Sequence, residues 1–425
     1  MSKTQKILIS DSLEQSLMDL LAREGFEVDY KPGLPADELK KIIGAYDGLV
    51  VRSSTKVTAE LISLSTNMKV IGRAGTGVDN IDVGAATRRG ILVMNTPGGN
   101  TISAAEHTVS MLLSLARNIP QAHMSLVRGE WERKKFIGTE VLEKTLGVIG
   151  LGKIGREVAL RCQAFGMKVI GYDPLLSAEV AAKSNIELCS LDELYRRSDF
   201  ITVHTPLTTE TKALLNDATL AKCKRGVRLV NCARGGIIDE LALLRALESG
   251  QVAGAALDVF EVEPPKNNAL LSHPRMIATP HLGASTEEAQ EKVAVQIAHQ
   301  IADALLGRGY AGLVNGAPLQ LSIKEEVKPY LVLAEKIGSL VAQLTSGKVQ
   351  NLSIVASGEV VVSSIELLKA GLLKGLLSHI YPDPVNIISA PILARELGLV
   401  LGEQRGGDGE SYTSLLGLQY QAEKE

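Results

Sequence analysis

Val148-Ile149-Gly150-Leu151-Gly152-Lys153-Ile154-Gly155 closes a short apolar run and opens a helical pattern. The stretch fits G-x-G-x-x-G. In that pattern the first glycine permits a tight turn. The second lets backbone approach a pyrophosphate, and the third allows a helix to pack closely on its strand. The start of the helix then offers free N–H groups and the positive end of its dipole to phosphates. Gly-rich turns are common, so the surroundings decide. The next strand pattern, Lys168-Val169-Ile170-Gly171-Tyr172-Asp173, ends on an acid eighteen residues after Gly155. An acid there bonds a ribose 2′-hydroxyl and repels a 2′-phosphate, which favours NAD over NADP.

Further strand patterns follow downstream, at Phe200–His204, Arg228–Asn231, Ala255–Val259 and Met276–Thr279. A separate series precedes them, at Ile7–Ile9, Phe26–Val28, Gly48–Arg52, Met68–Arg73 and Gly90–Met94. Short β-branched runs separated by helical segments predict βα units and parallel sheets. The expected fold class is therefore α/β. It comprises two parallel-sheet domains of Rossmann or flavodoxin type with a cleft between them, plus a smaller C-terminal α+β domain. Two long helices are expected as connectors. One carries Ile102, Ala105, Val109, Leu112, Leu113 and Ala116, with Ser103-Ala104-Ala105-Glu106 as a capping box and Pro120 just past its end. The other carries Val293, Ile297, Ile301 and Leu305, capped by Ser285–Glu288 and ended by Gly307 and Gly309. Beyond residue 310 the pattern gives a helix over Pro329–Leu344, strands at Leu352–Val355 and Val360–Val362, a helix over Ile365–His379, and a Gly-rich turn at Glu403–Glu410.

Composition excludes several classes. The chain has 425 residues, with 45 Lys+Arg against 48 Asp+Glu and a net charge of −3. A length of that order accommodates about two to four domains. Near-neutral charge gives no broad positive field for nucleic acid. Fifteen aromatics (1 Trp, 9 Tyr, 5 Phe) are too few for a base-stacking platform. Cys162, Cys189, Cys223 and Cys232 show no C-x-x-C spacing and are read as reduced thiols. No H-E-x-x-H or paired-ligand spacing suggests a metal. The N-terminus has no signal-type apolar region, and no run reaches the length of a membrane span, so the cytosol is expected.

Three polar residues follow strand patterns of the second series: Arg234, Glu263 and His281. In an open parallel sheet, ligands bind beyond the carboxyl ends of the strands, so the three are expected at one crevice with the cofactor. Their chemistry suits oxidation of a secondary alcohol. An imidazole takes the hydroxyl proton, a carboxylate orients it and favours its charged form, and a guanidinium grips a substrate carboxylate bidentately. Gly235 and Gly236 leave room for backbone beside that ligand.

The string Val230-Asn231-Cys232-Ala233-Arg234-Gly235-Gly236-Ile237-Ile238-Asp239-Glu240 resembles the signature of the D-isomer-specific 2-hydroxyacid dehydrogenases. So do Ala255–Phe260, Glu263-Pro264-Pro265 and Pro280–Ser285. The likeness runs over about residues 5–315 and is greatest to the long, animal-like branch that oxidises 3-phospho-D-glycerate. The resemblance implies His281 as acid/base, Glu263 as its partner and Arg234 as the carboxylate anchor. It implies Asp258 at the nicotinamide carboxamide, Lys153 and Ile154 at the pyrophosphate, Asp173 on the ribose, and Thr205, Cys232 and Thr76 along the NAD. It also implies a discontinuous substrate domain, 1–98 with 284–307, around an NAD domain at 99–283. The remaining 308–425 resembles an intervening, regulatory-like domain. The chain is read as stopping before a serine-sensing ACT domain.

A phosphorylated acid needs several cations. Arg52 and Arg73 each end a strand pattern of the first series, and Gly72–Asp79 adds a Gly-rich turn able to bind an anion. Trp131-Glu132-Arg133-Lys134-Lys135-Phe136 is the densest basic stretch. In the resembled enzymes the matching segment reaches toward a partner's active site, which implies a role for Arg133 and a homodimer or homotetramer. Ser53 and Asn100 match substrate positions there. The expected substrate is a phosphorylated hydroxy acid. Two alternatives are a hydroxypyruvate/glyoxylate reductase of the same family and an NAD(H)-responsive corepressor-like scaffold.

Overall fold

The computed structural model describes residues 4–316, 324–345, 349–381, 384–405 and 413–422. The chain forms two compact units. One is Asn100–Ala289; the other joins Met1–Gly99 to Gln290–Glu425.

The second of these holds a five-stranded sheet: β1 (Lys6–Ile9), β2 (Glu27–Tyr30), β3 (Gly48–Val51), β4 (Val70–Arg73) and β5 (Leu92–Met94). All pairings are parallel, in the order β2-β1-β3-β4-β5. Gly48-Leu49-Val50-Val51 is buried throughout, as an apolar run covered on both faces should be. One face packs on Val293, Ile297 and Ile301, so their four-residue spacing is a core stripe. The other packs on Leu39, Ile43, Leu61 and Ile62.

The unit Asn100–Ala289 holds a seven-stranded sheet: β6 (Thr145–Ile149), β7 (Lys168–Tyr172), β8 (Glu187–Leu188), β9 (Phe200–Val203), β10 (Val227–Asn231), β11 (Val252–Leu257) and β12 (Met276–Ala278). It is all parallel, in the order β12-β11-β10-β9-β6-β7-β8. Strand order reverses at β6. The Gly-rich turn leaves β6 at that switch point, where sheets of this kind bind ligands. The helices Thr101–Arg117 and Lys153–Ala164 cover one face through Val109, Leu112, Val158 and Cys162. Leu194, Leu243 and Leu247 cover the other.

A three-stranded sheet places β13 (Val349–Ser357) between β14 (Leu401–Arg405), to which it is parallel, and β15 (Leu415–Ala422), to which it is antiparallel. Its helices Lys328–Leu344 and Ile365–Leu377 touch backbone to backbone: a Cβ on Gly338 would lie 2.0 Å from Leu372 O, and one on Gly375 1.9 Å from Glu335 O. Val327, Leu367 and Ile388 share one buried cluster with Ile7 and Ile9 of β1.

Three local expectations change. Val360–Val362 is helical, within Glu359–Ser363. Gly358 turns the chain at φ 87° just before it, and β-branching costs a helix only a few tenths of a kcal/mol per residue. Ser103 is no cap: the helix already begins at Thr101, and the buried Ser103 hydroxyl donates to Gly283 O at 2.8 Å. Pro120 opens a further helix, Ile119–Val127, after Asn118 breaks the preceding one at φ 52°. Thr286 does cap: its Oγ1 accepts from Ala289 N–H at 3.2 Å. Of the Glu403–Glu410 turn, Glu403–Arg405 belongs to β14 and the rest lies outside the described residues. All four cysteines carry free thiols. Among the described residues, no helix is long and apolar enough to cross a membrane.

Candidate active site

The glycines of the Gly150–Gly155 turn differ in their surroundings. Gly150 stands at φ 91°, and a Cβ there would come 2.7 Å from His204 O. A Cβ on Gly155 would come 2.0 Å from Gly150 O, so the Lys153–Ala164 helix can sit on its strand only without one. Gly152 is the N-cap residue, and a Cβ there would enter open space. No side chain caps this helix start, which leaves its first N–H groups open to solvent or to an anionic ligand. Asp173 braces the turn: Oδ2 accepts from Leu151 N–H at 2.8 Å and Oδ1 from Leu175 N–H at 2.9 Å. Beside it, the buried Thr205 Oγ1 has no hydrogen-bond partner among the described residues, a cost of about 1–3 kcal/mol that a bound ligand would relieve.

His281 and Glu263 form a pair, with Nδ1···Oε2 at 2.8 Å. The other carboxylate oxygen of Glu263 accepts from Phe260 N–H at 3.1 Å. Burial opposes ionisation of Glu263, but the bonds from His281 and Phe260 outweigh it and hold its carboxyl below the usual range. With Nδ1 engaged, Nε2 of the half-exposed imidazole is the nitrogen left for a hydroxyl.

His281 itself stands at φ 56°, uncommon for a residue with a side chain. Asp258 holds it there. His281 N–H donates to Asp258 O at 2.9 Å. The fully buried Asp258 carboxylate accepts from Thr279 Oγ1 (2.6 Å), Leu282 N–H (2.8 Å) and Gly283 N–H (2.9 Å). Burial again opposes ionisation, and bonds from His107, Thr279 and Leu282 overcome it, so the carboxyl lies below its ordinary range.

Arg234 leaves β10 in a loop pressed against Phe260: a Cβ on Gly235 would come 1.8 Å from Phe260 O. Asn231 Nδ2 donates to Arg234 O at 2.8 Å, and Arg234 Nη1 to Ala233 O at 2.7 Å. Burial pushes the neighbouring Cys232 thiol up to about 12.

The other unit carries Arg52, Ser53, Arg73 and Thr76. Asp11 accepts from the N–H groups of Arg52, Ser54 and Thr55 and fixes their loop, with Ser53 exposed at its tip. Arg52 Nη1 donates to Gln290 Oε1 at 3.2 Å. Arg73 is largely buried and donates from Nε to Arg52 O at 3.1 Å, so it braces this loop from beneath. Asn95 Nδ2 donates to Thr76 O. In the unit Asn100–Ala289, Asn100 stands at the start of the Thr101–Arg117 helix, and Arg133 is exposed in the one-turn helix Arg133–Phe136.

Residues 109–283 match the family described as D-isomer specific 2-hydroxyacid dehydrogenase, NAD binding domain. Residues 326–425 match the D-3-phosphoglycerate dehydrogenase intervening domain. The D-3-phosphoglycerate dehydrogenase of Rattus norvegicus is 49% identical over 98% of this chain and 80% of its own length. That of Methanocaldococcus jannaschii is 46% identical over 99% of this chain and 80% of its own. The chain belongs to the D-3-phosphoglycerate dehydrogenase family. Among solved structures, a glyoxylate reductase from Paecilomyes thermophila aligns with a TM-score of 0.68 and 31% identity, covering 74% of this chain and 99% of that one.

As a member of this family the chain is an NAD-dependent dehydrogenase. The open side of Gly152, the uncapped helix start and the orphaned Thr205 hydroxyl fit a dinucleotide's phosphates and ribose. Sequence reading missed Asp11 and His107. Their partners lie 41 or more residues away, and no local spacing announces them.

His204, at the end of β9, gives a pH prediction. Burial pushes its imidazole down to about 4. An unfolded His takes up its proton near 6.5. The unfolded state therefore binds the proton first as pH falls, and stability is lost from about 6.5 downward toward 4. The wild type is expected to lose about 2 kcal/mol from this group between pH 7 and pH 5. Denaturant melts of wild type and His204→Gln check it: the stability gap should shrink by about that amount, and a pH-independent gap would contradict the assignment.

Proposed function

We propose that the chain oxidises 3-phospho-D-glycerate reversibly to 3-phosphohydroxypyruvate, the entry step to serine. The observation that carries this is the 2.8 Å His281–Glu263 pair in the same unit as the Gly150–Gly155 turn. Bound NAD supplies the hydride acceptor. His281 takes the hydroxyl proton at Nε2, and Glu263 holds the ring and stabilises the imidazolium. Arg234 grips the substrate carboxylate. Arg52, Ser53, Arg73, Asn100 and Arg133 take the rest of the substrate, and the Arg73 Nε bond also supports the Arg52 loop. Gly150, Gly152, Lys153, Ile154 and Gly155 hold the pyrophosphate, Asp173 the ribose, and Thr76, Thr205, Cys232 and Asp258 the remainder of the NAD. Oxidation needs the neutral imidazole, whose Nε2 lone pair is the acceptor for that proton.

A homodimer or homotetramer is the proposed state. In its support, Ile119, Leu126 and Val127 are exposed, and Trp131 and Ile137 are 76% and 79% exposed, on one segment. The free thiols support a cytoplasmic location.

The likeness to a glyoxylate reductase favours one second reading, reduction of unphosphorylated hydroxypyruvate or glyoxylate. Competing 3-phosphohydroxypyruvate and hydroxypyruvate in one NADH-consuming assay separates the two. The phosphorylated ketoacid should win by about a hundredfold or more in kcat/KM, since its phosphate adds several charge-assisted bonds. A preference for hydroxypyruvate would reverse the choice.

A further inference from the structure

Among the described residues, two further polar side chains of the Thr101–Arg117 helix reach the turn that carries His281: Ser103, which bonds Gly283 O, and His107, which reaches Asp258 and Thr279. His107 lies on the inner side of the Thr101–Arg117 helix, which packs on β10, β11 and β12. Its Nε2 is 3.2 Å from Asp258 Oδ1 and 3.2 Å from Thr279 Oγ1. Asp258 follows β11 and Thr279 follows β12, so one helical side chain joins the ends of two strands.

The other donors to the Asp258 side chain are Thr279 Oγ1, Leu282 N–H and Gly283 N–H. All three belong to the turn that carries His281. His107 is the donor that comes from elsewhere in the scaffold. Its bond is the foremost of those that hold this buried carboxyl below its ordinary range. A buried carboxylate is tolerated only when its lone pairs are taken. With one donor removed, the carboxylate must rotate, admit water or take a proton. Each of these weakens its hold on Leu282 N–H and Gly283 N–H. Those two bonds hold the chain immediately after His281, which keeps φ 56° only while its surroundings enforce it. Relaxation of that residue moves the imidazole away from Glu263 and from the substrate hydroxyl. Misplacement by about an ångström can cost about a hundredfold in rate.

We propose that His107 is a positioning residue: through Asp258 it fixes the Thr279–Gly283 turn and so sets the orientation of His281. The proposal rests on His281 being the acid/base. Cys232 Sγ lies within 4.8 Å of the same His107 and Asp258 donor atoms. Asp258 Oδ1 meets Thr279, Leu282 and His107 and Oδ2 accepts from Gly283 N–H, so the group works as a clamp.

The test is a double-mutant cycle on the full chain, following NADH formation from 3-phospho-D-glycerate. His107→Leu and His107→Gln are made in the wild type and in His281→Ala. His107→Leu should lower kcat about tenfold with KM for the acid within twofold, because Arg234 and the other anchors are untouched. His107→Gln keeps an N–H donor and should recover to within about threefold of wild type. In His281→Ala, His107→Leu should cost less than twofold, since the group it positions is gone. If His107→Leu does not fold, His107→Asn, whose shorter amide falls away from Asp258, carries the same expectations. Wild-type kcat in His107→Leu would overturn the proposal, as would equal losses in Leu and Gln, or an undiminished loss in His281→Ala. Full turnover in His281→Ala itself would sink both the proposed mechanism and this inference. Collapse of His281→Ala with unaffected His107 variants would sink this inference alone.

Discussion

His281→Ala is expected to lower kcat for NADH formation about a thousandfold while leaving the dissociation constant for NADH within about twofold. A positioned general base contributes roughly 10²–10⁴ to a proton transfer, and nothing else in the turn replaces an imidazole at Nε2. The geometry separates the two consequences. His281 lies beyond β12 and bonds to Glu263, whereas the Gly150–Gly155 turn lies at the end of β6. Glu263→Gln should fall between wild type and His281→Ala, by about ten- to hundredfold. The amide still bonds the ring but cannot stabilise the imidazolium by charge. Steady-state kinetics with fluorescence titration of NADH checks all three. Equal turnover by wild type and His281→Ala would remove His281 from the chemistry.

Arg234→Ala is expected to reduce kcat/KM for the acid by about 10²–10⁴. The loss follows from two charge-assisted bonds to a carboxylate, each worth about 1.5–3 kcal/mol. The backbone prepares the residue for that task. Asn231 ties the Arg234 carbonyl, Nη1 rests on Ala233 O, and the glycine at 235 lets the loop pass against Phe260 O. Arg234→Lys should recover only part of the loss, because an ammonium offers a point charge and no planar fork. Full recovery by lysine would mean that charge alone matters there. An unchanged KM in Arg234→Ala would place the substrate carboxylate elsewhere.

Much of this architecture was legible in local patterns. Gly150, Gly152 and Gly155 are spaced as a dinucleotide turn requires: close backbone contacts demand the first and third, and the second keeps an open side. The strand runs were readable because parallel strands buried on both faces are almost continuously apolar, as at Gly48–Val51 and Phe200–Val203. The pairing of His281 with Glu263 was readable because both follow strands of one sheet. What escaped was non-local or decided by packing. Val360–Val362 looks like a strand by propensity, yet Val361 is buried on a short helix. Ser103 looks like a cap, yet its hydroxyl finds Gly283, 180 residues away. Arg73 reads as a cation aimed at substrate, and its Nε bond to the Arg52 carbonyl ties it to the Arg52 loop, a link no local spacing announces. Asp11 and His107 carry no motif at all. Their roles exist only because the fold brings them to backbone N–H groups and to a buried carboxylate.

In the proposed reaction a dehydrogenase of this family, with His281 and Glu263 as its proton-handling pair, acts on a phosphorylated hydroxy acid. The most direct measurement follows NADH formation by the wild-type chain from 3-phospho-D-glycerate and from D-glycerate under identical conditions. The predicted result is saturable NADH formation from the phosphorylated acid, with kcat/KM about a hundredfold or more above that for D-glycerate. Equal rates with the two acids, or no NADH from 3-phospho-D-glycerate, would contradict the account.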